Sequence, residues 1–105
     1  MALQSVMPDN ELWEGEMRGL VVAGQKVLLL RVRGEIHAYQ DRCAHLGVAL
    51  SEGALADCIL TCRAHHYTYD ASTGAGINPK TTRLRTFEVA VRDGAIYVDV
   101  EGDRD

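Results

Sequence analysis

The chain has 105 residues, a formal net charge of −4 at pH 7 and a pI near 5.5. A length of this order predicts one domain, since domains typically run about 50–250 residues. Acidic and basic residues are scattered along the chain, which argues against a nucleic-acid partner, because such a partner requires clustered Lys and Arg.

The N-terminal segment 1–9 has neither a basic nor an apolar region, so we predict no signal peptide. The longest aliphatic run, Val27–Leu30, is far shorter than the ~20 residues that cross a bilayer. Three cysteines in such a chain indicate a reducing compartment, and metal or catalytic use in preference to disulfides. We therefore expect a cytoplasmic protein without a membrane anchor.

The first forty residues predict short strands with little helix. Residues 8–13 could form one helical turn, with Pro8 or Asp9 near its start. β-Favouring runs at 20–23, 27–32 and 35–39 are separated by turn signals at Gly24-Gln25 and Arg33-Gly34.

A β-hairpin is predicted near the C-terminus. Apolar residues alternate with others over 87–92 and again over 96–100, on either side of Asp93-Gly94. Alternation around Asp-Gly is the strongest short-range hairpin signal. The prolines, Pro8 and Pro79, fall outside all the predicted strands, as expected for residues that lack a backbone N–H.

Between Asp41 and Pro79 the alternation breaks down and small residues and turn formers dominate. Nearly forty residues of loop inside a small β domain is unusual unless the segment is functional. The candidate chemistry lies within this segment.

Two short segments each pair a cysteine with a histidine. Cys43 and His45 form a Cys-x-His unit, and Cys62 and His65 follow sixteen residues later as Cys-x-x-His. Zinc accepts two Cys and two His, but zinc fingers usually place the two cysteines in one half and the two histidines in the other. Mixed halves suit a dinuclear cluster in which one iron takes both thiolates and the other takes both imidazoles.

This motif, with Leu46-Gly47 directly after its first half, resembles that of the Rieske [2Fe–2S] proteins. Segments 11–17 and 74–79 are similar to the ferredoxin component of bacterial toluene monooxygenases. The resemblance implies an all-β fold over residues 1–105, a small antiparallel β-sandwich with a loop-built cluster-binding end. It also implies one [2Fe–2S] cluster held by Cys43, His45, Cys62 and His65.

The function implied by the resemblance is one-electron transfer, with no catalytic residue of the chain's own. A flavin/iron–sulfur reductase would supply electrons, and a diiron hydroxylase that oxidises an aromatic hydrocarbon would receive them. We expect a monomer. A ferredoxin of a ring-hydroxylating dioxygenase and a zinc-binding adaptor remain as alternatives.

At four positions the sequence differs from the motifs of other Rieske proteins, and these differences indicate which kind of Rieske protein it resembles. Val48 and Ala64 stand where Rieske proteins of respiratory complexes carry a disulfide. Arg63 and His66 stand where many dioxygenase ferredoxins have Pro and Gly, which favours the monooxygenase branch.

Ligand charge explains the use of histidine. An oxidised 2+ core with four thiolates would carry −2, whereas two thiolates and two neutral imidazoles give 0. Adding an electron is then less opposed, and Rieske potentials lie at about −150 to +300 mV. Hydrogen bonds to sulfur raise the potential further, and the resemblance places Tyr67 and Tyr69 at the positions of the Ser and Tyr donors of respiratory Rieske proteins.

The remaining candidates receive structural interpretations. Cys58 is interpreted as a small buried hydrophobe and Trp13 as a packing residue, although an exposed Trp would suit partner docking. We assign no role to His37, and a surface role to His66. The acidic segment 99–105 is expected to be a frayed end.

Overall fold

The computed structural model describes residues 3–43, 48–63, 67–78 and 80–100. Within these ranges, the only helices are two short 3-10 turns, at Asp9–Glu11 and Leu50–Glu52, and neither could span a membrane. The first lies inside the predicted helical turn. The ten strands are β1 Gln4–Pro8, β2 Met17–Val22, β3 Gln25–Val32, β4 Glu35–Gln40, β5 Ala54–Ala56, β6 Ile59–Thr61, β7 Thr68–Asp70, β8 Gly76–Asn78, β9 Thr86–Arg92 and β10 Ala95–Asp99.

The strands form two antiparallel sheets. The large sheet has the order β1-β10-β9-β4-β3-β2, and the small sheet has the order β5-β6-β7-β8. The two sheets share a buried core, so the predicted all-β sandwich is confirmed.

Strand β3 contributes to two cores because both of its faces are buried. Leu28 and Leu30 pack into the core between the sheets, and Val27 and Leu29 into a second core formed by the large sheet. A strand covered on both faces reads as a continuous apolar run rather than an alternation. This explains why residues 27–30 are all aliphatic.

The predicted C-terminal hairpin is confirmed. Strands β9 and β10 pair in register, with Arg92 opposite Ala95. The two turn residues, Asp93 and Gly94, both have positive φ, at 51° and 78°, as a type I′ turn requires.

Three other expectations about strands were wrong. Pro8 ends β1, where it lies opposite Ala95 at the edge of the large sheet; an edge position tolerates a proline. Asp99 ends β10 and is buried together with Val100, so the frayed end does not begin at residue 99. The loop-rich segment contains the whole small sheet, whose strands have only three residues each.

Trp13 does not pack, contrary to prediction. Its side chain is 72% exposed, whereas the preceding Leu12 is buried in the core of the large sheet. The indole N–H donates to the carbonyl of Asn10 at 3.2 Å. Leu12 therefore provides the apolar anchor of this segment.

Tyr39 connects the two sheets. Its hydroxyl, at the end of β4, donates to the carbonyl of Ala71 beyond β7 at 2.7 Å. Burial raises the pKa of Tyr39 well above its ordinary value, and the negative charge of Asp70 adds to this effect. The phenol therefore stays protonated and remains a donor. Gly74 packs against the ring, and its φ of +82° requires glycine.

Asp70 holds the turn after β7. Its carboxylate accepts hydrogen bonds from the backbone N–H of Ser72 at 2.9 Å and from the Ser72 hydroxyl at 2.6 Å. These bonds lower the pKa of Asp70 below its ordinary value. The charged form therefore stabilises the folded protein above the unfolded-state pKa, and this contribution is lost as the pH falls through the folded-state pKa.

Replacing Asp70→Asn is expected to lower the free energy of unfolding at pH 7. The loss should stay below about 1 kcal/mol, because the carboxylate is only partly buried. The difference from the wild type should shrink below about pH 4. Urea denaturation at pH 7 and pH 3 measures it, with Asp57→Asn as a control in a neighbouring turn. A difference that is equal at both pH values would contradict the assignment.

Candidate metal centre

Cys43 and Cys62 are buried in the same core between the two sheets. Each stands at the base of a short loop. The N–H of Cys43 donates to the carbonyl of Val48 at 2.8 Å, and the N–H of Cys62 donates to the carbonyl of Tyr67 at 2.7 Å. The ends of both loops are thereby fixed by a backbone hydrogen bond over the same interval of five residues.

His45 and His65, the predicted imidazole ligands, belong to these two loops in sequence but lie outside the described residues. Ala64 and His66 also lie outside them. Among the residues that are described, no group of three or more His, Cys, Asp or Glu side chains is brought together. The described part of the site is therefore the cysteine half.

The hydroxyl of Tyr69 lies 3.5 Å from the sulfur of Cys43, and both side chains are fully buried. Tyr69 belongs to β7, an inner strand of the small sheet, and it lies opposite Leu60 of β6. A cysteine that binds metal is a thiolate without a proton. The tyrosine hydroxyl then has to be the donor, so the structure places a hydrogen-bond donor against one candidate ligand sulfur.

A buried carboxylate fixes the segment that follows the first loop. Asp41, directly after β4, accepts hydrogen bonds from the backbone N–H and the hydroxyl of Ser51 at 2.8 and 2.7 Å. Gly19 of β2 lies directly against this pair, where a Cβ would meet both polar side chains. Sequence reasoning missed Asp41 and Ser51, because an Asp and a Ser ten residues apart carry no recognisable pattern.

Gly53 brings this same segment close to the second cysteine. A Cβ at Gly53 would clash with the carbonyl oxygen of Thr61, the residue before Cys62. The φ of Gly53 is −88°, so glycine is required here by close packing and not by a left-handed backbone. The backbone approach fixes β6 at the point where Cys62 follows.

The other candidates lie at the margin of the site. Tyr67 is half-buried against the shared core. Cys58 is half-buried rather than fully buried as predicted, because it occupies the β5–β6 turn at φ 64° with its thiol 3.9 Å from Asp70. His37 lies on β4 beside Tyr39, with the ring centroids 6.2 Å apart.

The donor set fits a thiolate-bound metal. None of the three cysteines forms a disulfide, and two of them, Cys43 and Cys62, are buried away from solvent. Buried sulfur with a nearby hydroxyl donor offers soft anionic ligands in a dry, hydrogen-bonded environment, which suits an iron–sulfur cluster. No position in the cysteine half conflicts with that group.

The chain matches known proteins over most of its length. Residues 2–88 match the Rieske [2Fe–2S] domain family. The ferredoxin component of the alkene monooxygenase system of Xanthobacter autotrophicus is 38% identical over 93 residues, covering 88% of this chain and 76% of that protein. The ferredoxin component of biphenyl 2,3-dioxygenase of Rhodococcus jostii is 37% identical over 103 residues, covering 97% and 96%.

Solved structures agree with these matches. A complex of reduced oxygenase and oxidized ferredoxin in carbazole 1,9a-dioxygenase contains a chain that superposes with a TM-score of 0.84 at 30% identity. The superposition covers 91% of each chain. The present chain therefore belongs to the Rieske [2Fe–2S] domain family, as an electron-transport ferredoxin that carries one such cluster.

Replacing Tyr69→Phe is expected to lower the reduction potential. In the wild type, the Tyr69 hydroxyl stabilises negative charge on the Cys43 sulfur, and this charge is greatest in the reduced state. Removing the hydroxyl therefore disfavours reduction. One hydrogen bond of roughly 1–2 kcal/mol corresponds to about 40–90 mV for a one-electron couple. Voltammetry measures the shift. Tyr39→Phe is the matched control, because it removes a buried hydroxyl that bonds a carbonyl instead of a cysteine; equal potentials in all three proteins would refute the assignment.

Replacing Gly53→Ala is expected to destabilise the protein by about 1–3 kcal/mol through overpacking and to reduce the iron content per chain. The methyl group forces Thr61, and with it Cys62, out of position. Gly24→Ala is the comparison, since Gly24 has φ +82° with open space around it. That variant should lose stability through backbone strain but keep its iron. Full iron loading of purified Gly53→Ala would contradict the role given to this contact.

Proposed function

We propose that this ferredoxin carries single electrons from a flavin/iron–sulfur reductase to the diiron hydroxylase of a multicomponent monooxygenase that oxidises an aromatic hydrocarbon. The observation that carries the electron-transfer role is the pair of buried cysteines, each at the base of a closed loop. The similarity to an alkene monooxygenase ferredoxin, together with Arg63 and His66 in the second half of the motif, supports the monooxygenase branch.

The proposed ligands are Cys43, His45, Cys62 and His65. Two thiolates on one iron and two imidazoles on the other would complete the Rieske arrangement. Burial of both cysteines, the spacing of the two halves and the family membership support this assignment. Cys58 is left out, because its thiol lies beside Asp70 in a turn of the small sheet.

When bound, the cluster accepts and releases one electron at a time. The chain's own residues provide the environment for this change. The core between the two sheets shields Cys43 and Cys62 from water, and Tyr69 donates a hydrogen bond to the Cys43 sulfur. The backbone bonds from each cysteine to Val48 and Tyr67 fix the loop ends, so little reorganisation of this half accompanies electron transfer.

The proposal treats residues 1–105 as one Rieske domain. Strand β10, which follows the matched segment 2–88, pairs with both β1 and β9. The C-terminal hairpin therefore belongs to the same sheet as the N-terminal strand. A monomeric state and a cytoplasmic location remain part of this proposal.

A second candidate is a ferredoxin of a ring-hydroxylating dioxygenase. The specific observation in its favour is the 37% identity to the biphenyl 2,3-dioxygenase ferredoxin over nearly the whole of both chains. The cofactor and the ligands would be the same, and only the terminal oxygenase would differ.

The cluster and its ligands are tested by spectroscopy. The dithionite-reduced protein should give the EPR spectrum of a histidine-ligated [2Fe–2S] cluster. His45→Ala and His65→Ala should yield apo or unstable protein, whereas Cys58→Ser should keep the visible absorption bands. A colourless protein that contains zinc would overturn the proposal, and loss of the bands in Cys58→Ser would show that the wrong cysteine had been chosen.

The partner is tested by reconstitution. The ferredoxin is combined with a reductase and either a diiron aromatic monooxygenase or a ring-hydroxylating dioxygenase, and turnover is measured. Support of the monooxygenase reaction is expected. Turnover with the dioxygenase alone would favour the second candidate.

A further inference from the structure

In the described part of the chain, an exposed arginine stands directly beside each of the two cysteines, although the whole chain carries −4. Arg42 directly precedes Cys43, Arg63 directly follows Cys62, and both are exposed. The sequence showed acidic and basic residues scattered along the chain, but the sequence alone did not show which of them lie together in space.

Two lysines extend this positive region. Lys26 lines one cavity with Arg42, and its carbonyl accepts the N–H of Asp41. Lys80 is exposed and follows shortly after β8, which ends at Asn78. Asn78 lies opposite Thr68, and Thr68 is the neighbour of Tyr67, where the second cysteine loop ends. We refer to Lys26, Arg42, Arg63 and Lys80 as the cationic rim.

Two carboxylates, Glu52 and Asp41, lie among these four cations and offset only half of the positive charge. Glu52 is 3.6 Å from Arg63, but both side chains are more than half exposed, so the pair is weak and readily exchanged. Asp41 is buried and held by Ser51. The charge presented outward by these groups is therefore positive.

The opposite end of the large sheet presents the other sign. The β3–β4 and β9–β10 turns lie there, and exposed acids outnumber exposed arginines by four to two: Glu11, Glu14, Glu35 and Asp93 against Arg33 and Arg92. Glu14 is bound to the backbone N–H groups of the β3–β4 turn. An approaching charged surface would therefore orient the molecule by its ends and not merely attract or repel it as a whole.

We propose that the cationic rim docks on an acidic surface of the redox partner, so that carboxylates of the partner bring it to the cluster end. This inference rests on the proposed function, which places the cluster between Cys43 and Cys62. Complementary charge of this kind mainly sets the orientation and rate of encounter.

A defined acidic surface tests the proposal without an identified partner. The cluster-loaded protein is studied by voltammetry on gold coated with a carboxylate-terminated monolayer and on gold coated with an amine-terminated monolayer. The rate of electron transfer and the amount of adsorbed protein are both recorded. Despite its net negative charge, the protein should exchange electrons faster on the carboxylate surface, and salt should slow this exchange by screening.

Charge reversal locates the docking face. Arg42→Glu and Arg63→Glu are each expected to slow electron transfer on the carboxylate surface by about tenfold. Arg92→Glu is the matched control, because Arg92 is an exposed arginine at the opposite end of the large sheet. It changes the net charge by the same amount and should alter the rate by less than about twofold.

The outcomes separate the two proposals. Faster transfer on the amine surface, or equal effects of all three reversals, would overturn the acidic-partner inference. If a charge reversal prevents cluster loading, the neutral variant at the same position, Arg42→Gln or Arg63→Gln, is used in its place. Each neutral variant is expected to slow electron transfer by about threefold. A wild-type protein without a cluster would overturn the proposed function, whereas a loaded protein with silent reversals would overturn only this inference.

Discussion

The structure depends on the burial of two cysteines, each of which follows shortly after the end of a strand. Cys43 and Cys62 are almost fully buried, and each stands where regular strand pairing has stopped. The backbone bond from each cysteine N–H to the carbonyl five residues later satisfies the polar backbone at the boundary. A buried N–H left without a partner would carry a desolvation cost of about 1–3 kcal/mol, so these two bonds allow a loop to start inside a core.

The rest of the fold holds these two loop bases in register with each other. One follows the large sheet and the other follows the small sheet, so their relative position is set wherever the sheets meet. The hydroxyl of Tyr39 bonds across that boundary, and Gly53 permits a backbone contact with Thr61. The aliphatic face of β3 supplies the apolar surface on which the small sheet rests. Such contacts fix geometry because a packed interior does not deform smoothly.

Patterns confined to neighbouring residues were predicted well from the sequence. Asp93-Gly94 between alternating strands specified a hairpin, since two residues with positive φ define the turn and the register. Cys43 lies two residues before His45 and Cys62 three residues before His65, and these two short units indicated the family, because ligand chemistry restricts which residues occur within each unit. In both cases the governing constraint is local in the chain.

Features that depend on distant partners were missed. Strands of three residues are too short to display a period of two, so the small sheet read as loop. Trp13 was expected to pack because it is large and aromatic, but Leu12 already occupies the available core position. The bond between Asp41 and Ser51 depends on how β4 and the segment after the first loop are placed in space. Sequence spacing carries no information about that placement.

The local sign of charge shows why net charge is a poor guide to a binding face. The total of −4 does not say where the charges lie, and at physiological ionic strength exposed charges more than about 8 Å from a contact are largely screened. Within contact distance, a partner that approaches the cysteine loops meets Arg42 and Arg63 long before it senses carboxylates at the far turns. If the cluster lies between Cys43 and Cys62 as proposed, the charges beside these cysteines govern the orientation of an encounter more than the distant ones do.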